Sequence, residues 1–330
     1  MHQVYYLRRM HSFSSLSEKF NQHFNTRHFP ASPESLYDAA DYFLGLGGKR
    51  IRPVLCLMGN ELFDEILPDA YHVATAVELF HNFSLIHDDI MDKAPLRRGM
   101  PTVHEKFGSS TALLAGDVML VVAYEYLSKV SPKTVQKIMR LFNRTAKEVC
   151  EGQQLDMNFE AQEVVNLDEY IHMIALKTSV LIAASLKMGA ILGGAGEGNQ
   201  EDLYQFGKNL GIAFQVQDDY LDAFGDPAKF GKQIGGDILA NKKTFLVIHA
   251  MRTGTTSQVS KLKELMHSDP ADKVDQVLEI YRECGVDKWA FDLKEKFVQT
   301  AFDHLENCAV LSSRKEPLKE LAQFLVQREY

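Results

Sequence analysis

Apolar residues recur along most of this chain at the three- and four-residue spacing of helices, and almost nowhere in the alternation of strands. In 71–92 they fall at Val73, Ala76, Val77, Phe80, Phe83 and Ile90, along one side of a helix. Segment 111–130 is apolar around most of its circumference, as a buried helix is. The same spacing predicts helices over 133–160, 167–192, 200–223, 237–251, 257–267, 272–283, 287–309 and 315–328. The breaks between them are short and Gly-rich, at 45–53, 193–199 and 224–236. None is long enough for a domain linker. The pattern predicts one all-α domain of ten or more helices over 31–330, preceded by a loosely constrained lead over 1–30.

Composition narrows this. Hydrophobic residues make up 45% of 330, enough for a large core, and the net charge of −8 argues against nucleic-acid binding. Cys56, Cys150, Cys284 and Cys308 lie far apart with no CxxC pair, which predicts free thiols and a cytoplasmic protein. The first residues lack the apolar stretch and cleavage site of a secretory leader. No unbroken run of about 18 apolar residues occurs, so no transmembrane segment is expected.

One short motif occurs twice. "DDIMD" supplies Asp88, Asp89 and Asp92, and "DDYLD" supplies Asp218, Asp219 and Asp222, each after an apolar helical run. Residues four apart share a helix face, so Asp88 pairs with Asp92 and Asp218 with Asp222. Such pairs repel, and at a helix C-terminus they also oppose the macrodipole, unless a cation lies between them. A single copy is equally well the solvated end of a helix; two copies point to metal. Mg²⁺ fits, because it combines one or two carboxylates with phosphate oxygens and water. The spacing is not that of an EF-hand, and the histidines of an HD-type hydrolase are missing.

A polyanion held by Mg²⁺ also needs protein cations. "GGKRIRP" offers Lys49, Arg50 and Arg52 in a Gly-rich turn whose backbone can approach a phosphate. Arg97 and Arg98 follow the first motif, and Lys232 and Lys242 follow the second. Taken singly these are ordinary surface charges. Lys177 differs, because it sits in the apolar run "MIALKTSVLIAASL", where a lysine needs an anionic partner.

Six segments occur in family order: "GGKRIRP", "HDDIMDKAPLRRG", "GD" at 116–117, "KT" at 177–178, "FQVQDDYLD" and "GKQIGGDILANKKT". Together they resemble the trans-prenyltransferases, or polyprenyl diphosphate synthases, from about residue 35 to the C-terminus. The resemblance implies a helical bundle around a deep central cavity (the isoprenoid synthase type I fold), usually a homodimer. It implies Mg²⁺-dependent head-to-tail joining of isopentenyl diphosphate to an allylic diphosphate, with three ions present once substrate is bound. By motif, Asp88, Asp92 and Asp218 resemble direct metal ligands, with Asp89, Asp219, Asp222 and Asp237 as supporting carboxylates. Arg97, Lys177, Lys232 and Lys242 correspond to cations that hold the allylic diphosphate. Lys49, Arg52, His81 and Arg98 correspond to those that hold isopentenyl diphosphate, with Arg50 close by. Thr178 and Gln215 resemble groups that stabilise the allylic cation.

Product length should depend on residues beneath the first motif. An ideal helix places Ser84 roughly 6 Å and Phe80 roughly 12 Å below Asp88, near its face, with Phe83 rotated well away. By family pattern an aromatic at Phe83 alone, with two residues inside the acidic motif, resembles the archaeal type of geranylgeranyl synthase. Geranylgeranyl diphosphate (C20) is therefore the expected product and farnesyl diphosphate (C15) the next. A class I terpene cyclase and a non-catalytic subunit of a heteromeric synthase are the rivals. The former does not need "GGKRIRP", and the latter typically loses the acidic clusters.

Overall fold

The computed structural model of the chain describes residues 10–225 and 234–327. The described residues are overwhelmingly helical, as the apolar spacing predicts. In order, the helices are α1 Phe13–Phe24, α2 Glu34–Gly45, α3 Ile51–Glu61, α4 Pro68–Met91, α5 Val103–Phe107, α6 Ser109–Ser128, α7 Val135–Ala161 and α8 Leu167–Ile174. A π-helical turn, Ala175–Ser179, leads into α9 Val180–Leu192. Then follow α10 Glu197–Phe224, α11 Gly236–Leu239, α12 Phe245–Thr253, α13 Thr256–Met266, α14 Lys273–Glu283, α15 Val286–Asn307 and α16 Ser312–Val326. Two strands, β1 Leu96–Arg97 and β2 Met100–Pro101, pair antiparallel with Leu96 opposite Pro101.

The described residues divide into two compact units: 10–144, 184–203 and 309–317 in the first, 145–183, 204–225, 234–308 and 318–327 in the second. In the first, α4 packs along α6 and α3 around Leu55, Val73, Val77, Phe80 and Met119, all buried. Helix α3 is buried along nearly its whole length. It crosses α9 at glycines: a Cβ on Gly59 would strike the Leu186 carbonyl, and one on Gly189 the Cys56 carbonyl. The second unit is built on a core that includes Tyr170, Ile212, Val216, Phe245, Leu262 and Tyr281.

The structure departs from the sequence expectations in four places. The N-terminal lead contains α1, capped by the Ser12 hydroxyl and burying Leu16, Phe20 and Phe24. Apart from Phe13 its other residues are polar, so the apolar stripe is thin. Helices α2 and α3 also form in a region left without prediction. The single helix predicted over 237–251 is two, α11 and α12, because Asn241 adopts a left-handed backbone (φ 54) between them. Finally, Ser109–Ser128 and Leu167–Leu192 are each long and apolar enough to cross a membrane. Scattered polar residues interrupt both, so neither is an unbroken apolar run. Leu167–Leu192 is mostly buried inside the protein, as a core helix would be.

Candidate active site

The first acidic motif ends α4, with Asp92 at its C-cap. Asp89 turns inward, only 1% exposed, and Arg97 reaches back from β1 to grip it: Nε donates to both carboxylate oxygens at 2.8 Å, and a terminal nitrogen lies 2.6 Å away. The same guanidinium lies 3.6 Å from Asp88. Burial alone would lower the Arg97 pKa, but Asp89, Asp88 and Asp92 outweigh it and raise it. Arg97 is therefore a fixed cation. By neutralising Asp89 it leaves Asp88 and Asp92 as the outward carboxylates.

The second cationic group of this unit gathers around the turn before α3. Gly47 (φ 77) permits a left-handed step, and a Cβ on Gly48 would crowd the Arg98 guanidinium. Arg98 donates to the Gly47 carbonyl oxygen. Arg52 donates to His81 Nε2 at 3.0 Å, and its Nε is buried without a hydrogen-bond partner. Desolvation lowers Arg52 to a pKa of about 10 and, with the surrounding guanidiniums of Arg52, Arg98, Arg97 and Arg50, holds His81 well below its ordinary value. His81 is thus a neutral acceptor, and Arg52 retains a donor in want of an oxygen. Arg50 behaves differently. It is buried, bonded to Glu78 and to Asn21, and lies over the Phe24 ring. Its physical role here is to pin the turn. Lys49 is exposed.

Below the motif, α4 presents a run of rings. Phe83 packs edge-on against His87 (4.7 Å) and lies 5.5 Å from Phe80. Phe80 meets Phe142 of α7 at 5.3 Å, and Phe142 meets Tyr124 of α6 at 5.3 Å. His87, Phe83 and Ser84 are half-exposed, whereas Phe80 is 1% exposed. The accessible face closes there. Gly116 is the residue over which His87 lies, and a Cβ would collide with the imidazole.

The second motif lies in the second unit, at the end of α10. Thr178 and Lys177 sit in the π-turn, an irregularity that re-aims side chains and recurs at functional sites. Gly152 of α7 lets that turn approach, since a Cβ there would strike the backbone of Lys177 and Leu176. One helical turn later Asp156 receives the Lys177 ammonium at 2.6 Å. Thr178 Oγ1 donates to Gln215 Oε1 (3.3 Å), and Gln215 Nε2 donates to Asp219 Oδ1 (2.9 Å). The Tyr170 hydroxyl donates to the other oxygen of Asp219. Burial first, then Asp237, raises Asp219 to about 8 despite those donors. Asp222 is also raised, by burial and Asp237, and accepts the Asp237 backbone N–H at 2.9 Å. Lys242 lies 3.5 Å from Asp237. Asp218 is half-exposed. Lys232 lies outside the described residues.

Four residues here escaped the sequence reading: Asp156, Tyr170, Glu78 and Phe142. Asp156 carries a faint signal, since it falls one turn after Gly152 in "GQQLD". The others look like core. Among the described residues no three carboxylate, histidine or cysteine side chains are already gathered around one point. The donors are nevertheless all hard oxygens, and Asp219 and Asp222 carry pKa values raised in part by a neighbouring carboxylate. Such crowding is what a divalent cation relieves, and a sphere shared with diphosphate oxygens and water is usual for Mg²⁺.

Comparison with known proteins bears on the whole chain. The Polyprenyl synthetase family matches residues 33–284. A geranylgeranyl diphosphate synthase from Methanosarcina mazei is 39% identical over 303 residues, 90% of this chain and 91% of that protein. A geranylfarnesyl diphosphate synthase from Natronomonas pharaonis is 34% identical over 90% of this chain and 91% of its own. A crystal structure of a geranylgeranyl pyrophosphate synthase superposes with a TM-score of 0.91 at 41% identity, covering 97% of this chain and 100% of that one.

Proposed function

The chain belongs to the polyprenyl synthetase family, and from that premise we propose that it is a short-chain trans-prenyl diphosphate synthase. It joins isopentenyl diphosphate to an allylic diphosphate and yields chiefly geranylgeranyl diphosphate. The supporting observation is that the cations are already seated on carboxylates: Arg97 on Asp89, Lys177 on Asp156, Lys242 near Asp237. Charges held in this way need no reorganisation when a diphosphate arrives and leaves. The relatives named geranylgeranyl synthases, and Phe83 as the lone aromatic beside Ser84, favour C20 over C15.

Mg²⁺, held by Asp88, Asp92 and Asp218, would neutralise the charge that develops on the departing diphosphate. Arg97, Lys177, Lys232 and Lys242 grip that group. Arg52, Arg98, Lys49 and neutral His81 hold isopentenyl diphosphate, with the unpartnered Arg52 Nε offering a donor. The allylic C–O bond breaks and the isopentenyl double bond attacks the resulting cation. The proton then lost passes to pyrophosphate, so no side-chain base is needed. Thr178 and the Gln215 carbonyl oxygen stabilise the cation, and apolar surroundings exclude water. The test is condensation of labelled isopentenyl diphosphate with C5, C10 and C15 primers. Asp88→Ala or Asp218→Ala enzymes that kept full Mg²⁺-dependent activity would sink the assignment, and wild type that left isopentenyl diphosphate unused would point to a cyclase.

We also propose a homodimer. Leu114 (56% exposed) and Val121 (57%) lie on one face of α6, with Leu113 (50%) beside them. Isolated apolar residues at surfaces are ordinary, but a stripe seven residues long on a helix this apolar calls for a cover, and a second copy is the one the family supplies.

A further inference from the structure

We propose that Tyr170 is a positioning residue for the condensation: through Asp219 it fixes the rotamer of Gln215 so that the amide oxygen faces Thr178 and the reacting carbon. This rests on the function proposed above. The amide of a glutamine has two ends of opposite polarity, and turning it by half a revolution exchanges a carbonyl oxygen for an NH₂ group. Only the oxygen can stabilise a cation. Something must therefore specify which end is which.

The contacts specify it. Asp219 is 5% exposed and Tyr170 4%. The Gln215 nitrogen faces Asp219 Oδ1 and donates to it at 2.9 Å. That leaves the oxygen toward Thr178 Oγ1, at 3.3 Å. Asp219 imposes this polarity by presenting Oδ1 to the amide nitrogen. The Tyr170 hydroxyl, donating to the second carboxylate oxygen from α8, holds it so. Tyr170 is anchored in turn, with its ring 6.1 Å from that of Phe245 in the core of the second unit. The order of dependence is Tyr170, then Asp219, then Gln215. Because both of its oxygens are engaged by side-chain donors, Asp219 acts on the amide and not as an outward carboxylate like Asp218.

Tyr170→Phe removes one oxygen and preserves the ring. Expected is a roughly tenfold or greater fall in kcat, with KM for both diphosphates nearly unchanged, since Tyr170 touches neither. Loss of folded enzyme could mimic that fall, so the deciding measurement is a double-mutant cycle with Gln215→Leu. If Tyr170 acts through Gln215, Tyr170→Phe has no further effect in the Gln215→Leu enzyme. Equal fold-losses in both backgrounds would overturn the proposal. A Gln215→Leu enzyme with wild-type kcat would instead remove the role assigned to Gln215, and the positioning role with it.

Discussion

Truncating Phe80 should lengthen the product by one isoprene unit, from C20 to C25. Phe80 is the first fully closed position below Asp88 on the accessible side of α4, where Ser84, Phe83 and His87 are only half-buried. It lies two helical turns, about 12 Å, beneath Asp88. Its ring stands between Phe83 and Phe142, at 5.5 and 5.3 Å. A growing chain that reaches it must stop or displace it. Phe→Ala opens a depth comparable to one helical turn, about 5 Å. An isoprene unit has four chain carbons and, with bonds of about 1.5 Å, also extends about 5 Å. One ring therefore corresponds to one unit. The substitution costs about 3–5 kcal/mol of stability for a buried aromatic, so circular dichroism must first show that the variant is folded at the assay temperature. The assay is reversed-phase chromatography of the dephosphorylated products from labelled isopentenyl diphosphate. Phe142 lies behind Phe80, so Phe142→Ala should add length mainly in the Phe80→Ala background, again by about one unit. Unchanged products from folded Phe80→Ala and from the double variant would refute the floor. A shift confined to Phe83→Ala would move it one turn up the helix.

Two further outcomes are expected. His81 is held well below the ordinary histidine value of about 6.5 by desolvation and neighbouring guanidiniums, so below pH 6.5 the unfolded chain takes a proton that the folded chain refuses. Stability should fall with pH there by about 1.4 kcal/mol per unit for this group. Urea melts between pH 5 and 7.5 should show a shallower slope for His81→Gln, and an unaltered slope would contradict the assignment. Placing charge on the α6 stripe, as Leu114→Asp with Val121→Lys, should shift the protein from dimer toward monomer in sedimentation velocity; a wild type that sediments as a monomer would remove the proposed interface.

Much of this was legible along the chain because the chemistry is local. Each acidic motif needs only the helical repeat to bring its carboxylates to one face, and the glycines of "GGKRIRP" sit beside the cations they serve. What was hidden depends on tertiary contact. Lys177 announced a missing anion by its apolar surroundings, but its partner Asp156 lies 21 residues away on another helix. Tyr170 and Asp219 are 49 residues apart, and Tyr170 looks unremarkable alone. Arg50 misled in the opposite sense. Its neighbour Lys49 is an exposed cation, and only the fold shows that Glu78 draws Arg50 inside.

The backbone points to the same segments by an independent route. Among the described residues, the non-glycine positions with left-handed φ are Arg50, Lys93, Arg98 and Asn241. Every one lies in a segment singled out for its charges, although nothing in the charge argument concerns dihedral angles. Such conformations are costly for a residue with a Cβ and persist only where the surroundings enforce them. The enforcing contacts can be named in two cases: Glu78 on Arg50, and the Gly47 carbonyl on Arg98. A loop that served only to connect helices would relax such residues or replace them with glycine. Retaining them fixes where each guanidinium starts and so limits where its head can reach. That rigidity is what binding a diphosphate with preset cations requires, and it is a property of the turns as much as of the charges they carry.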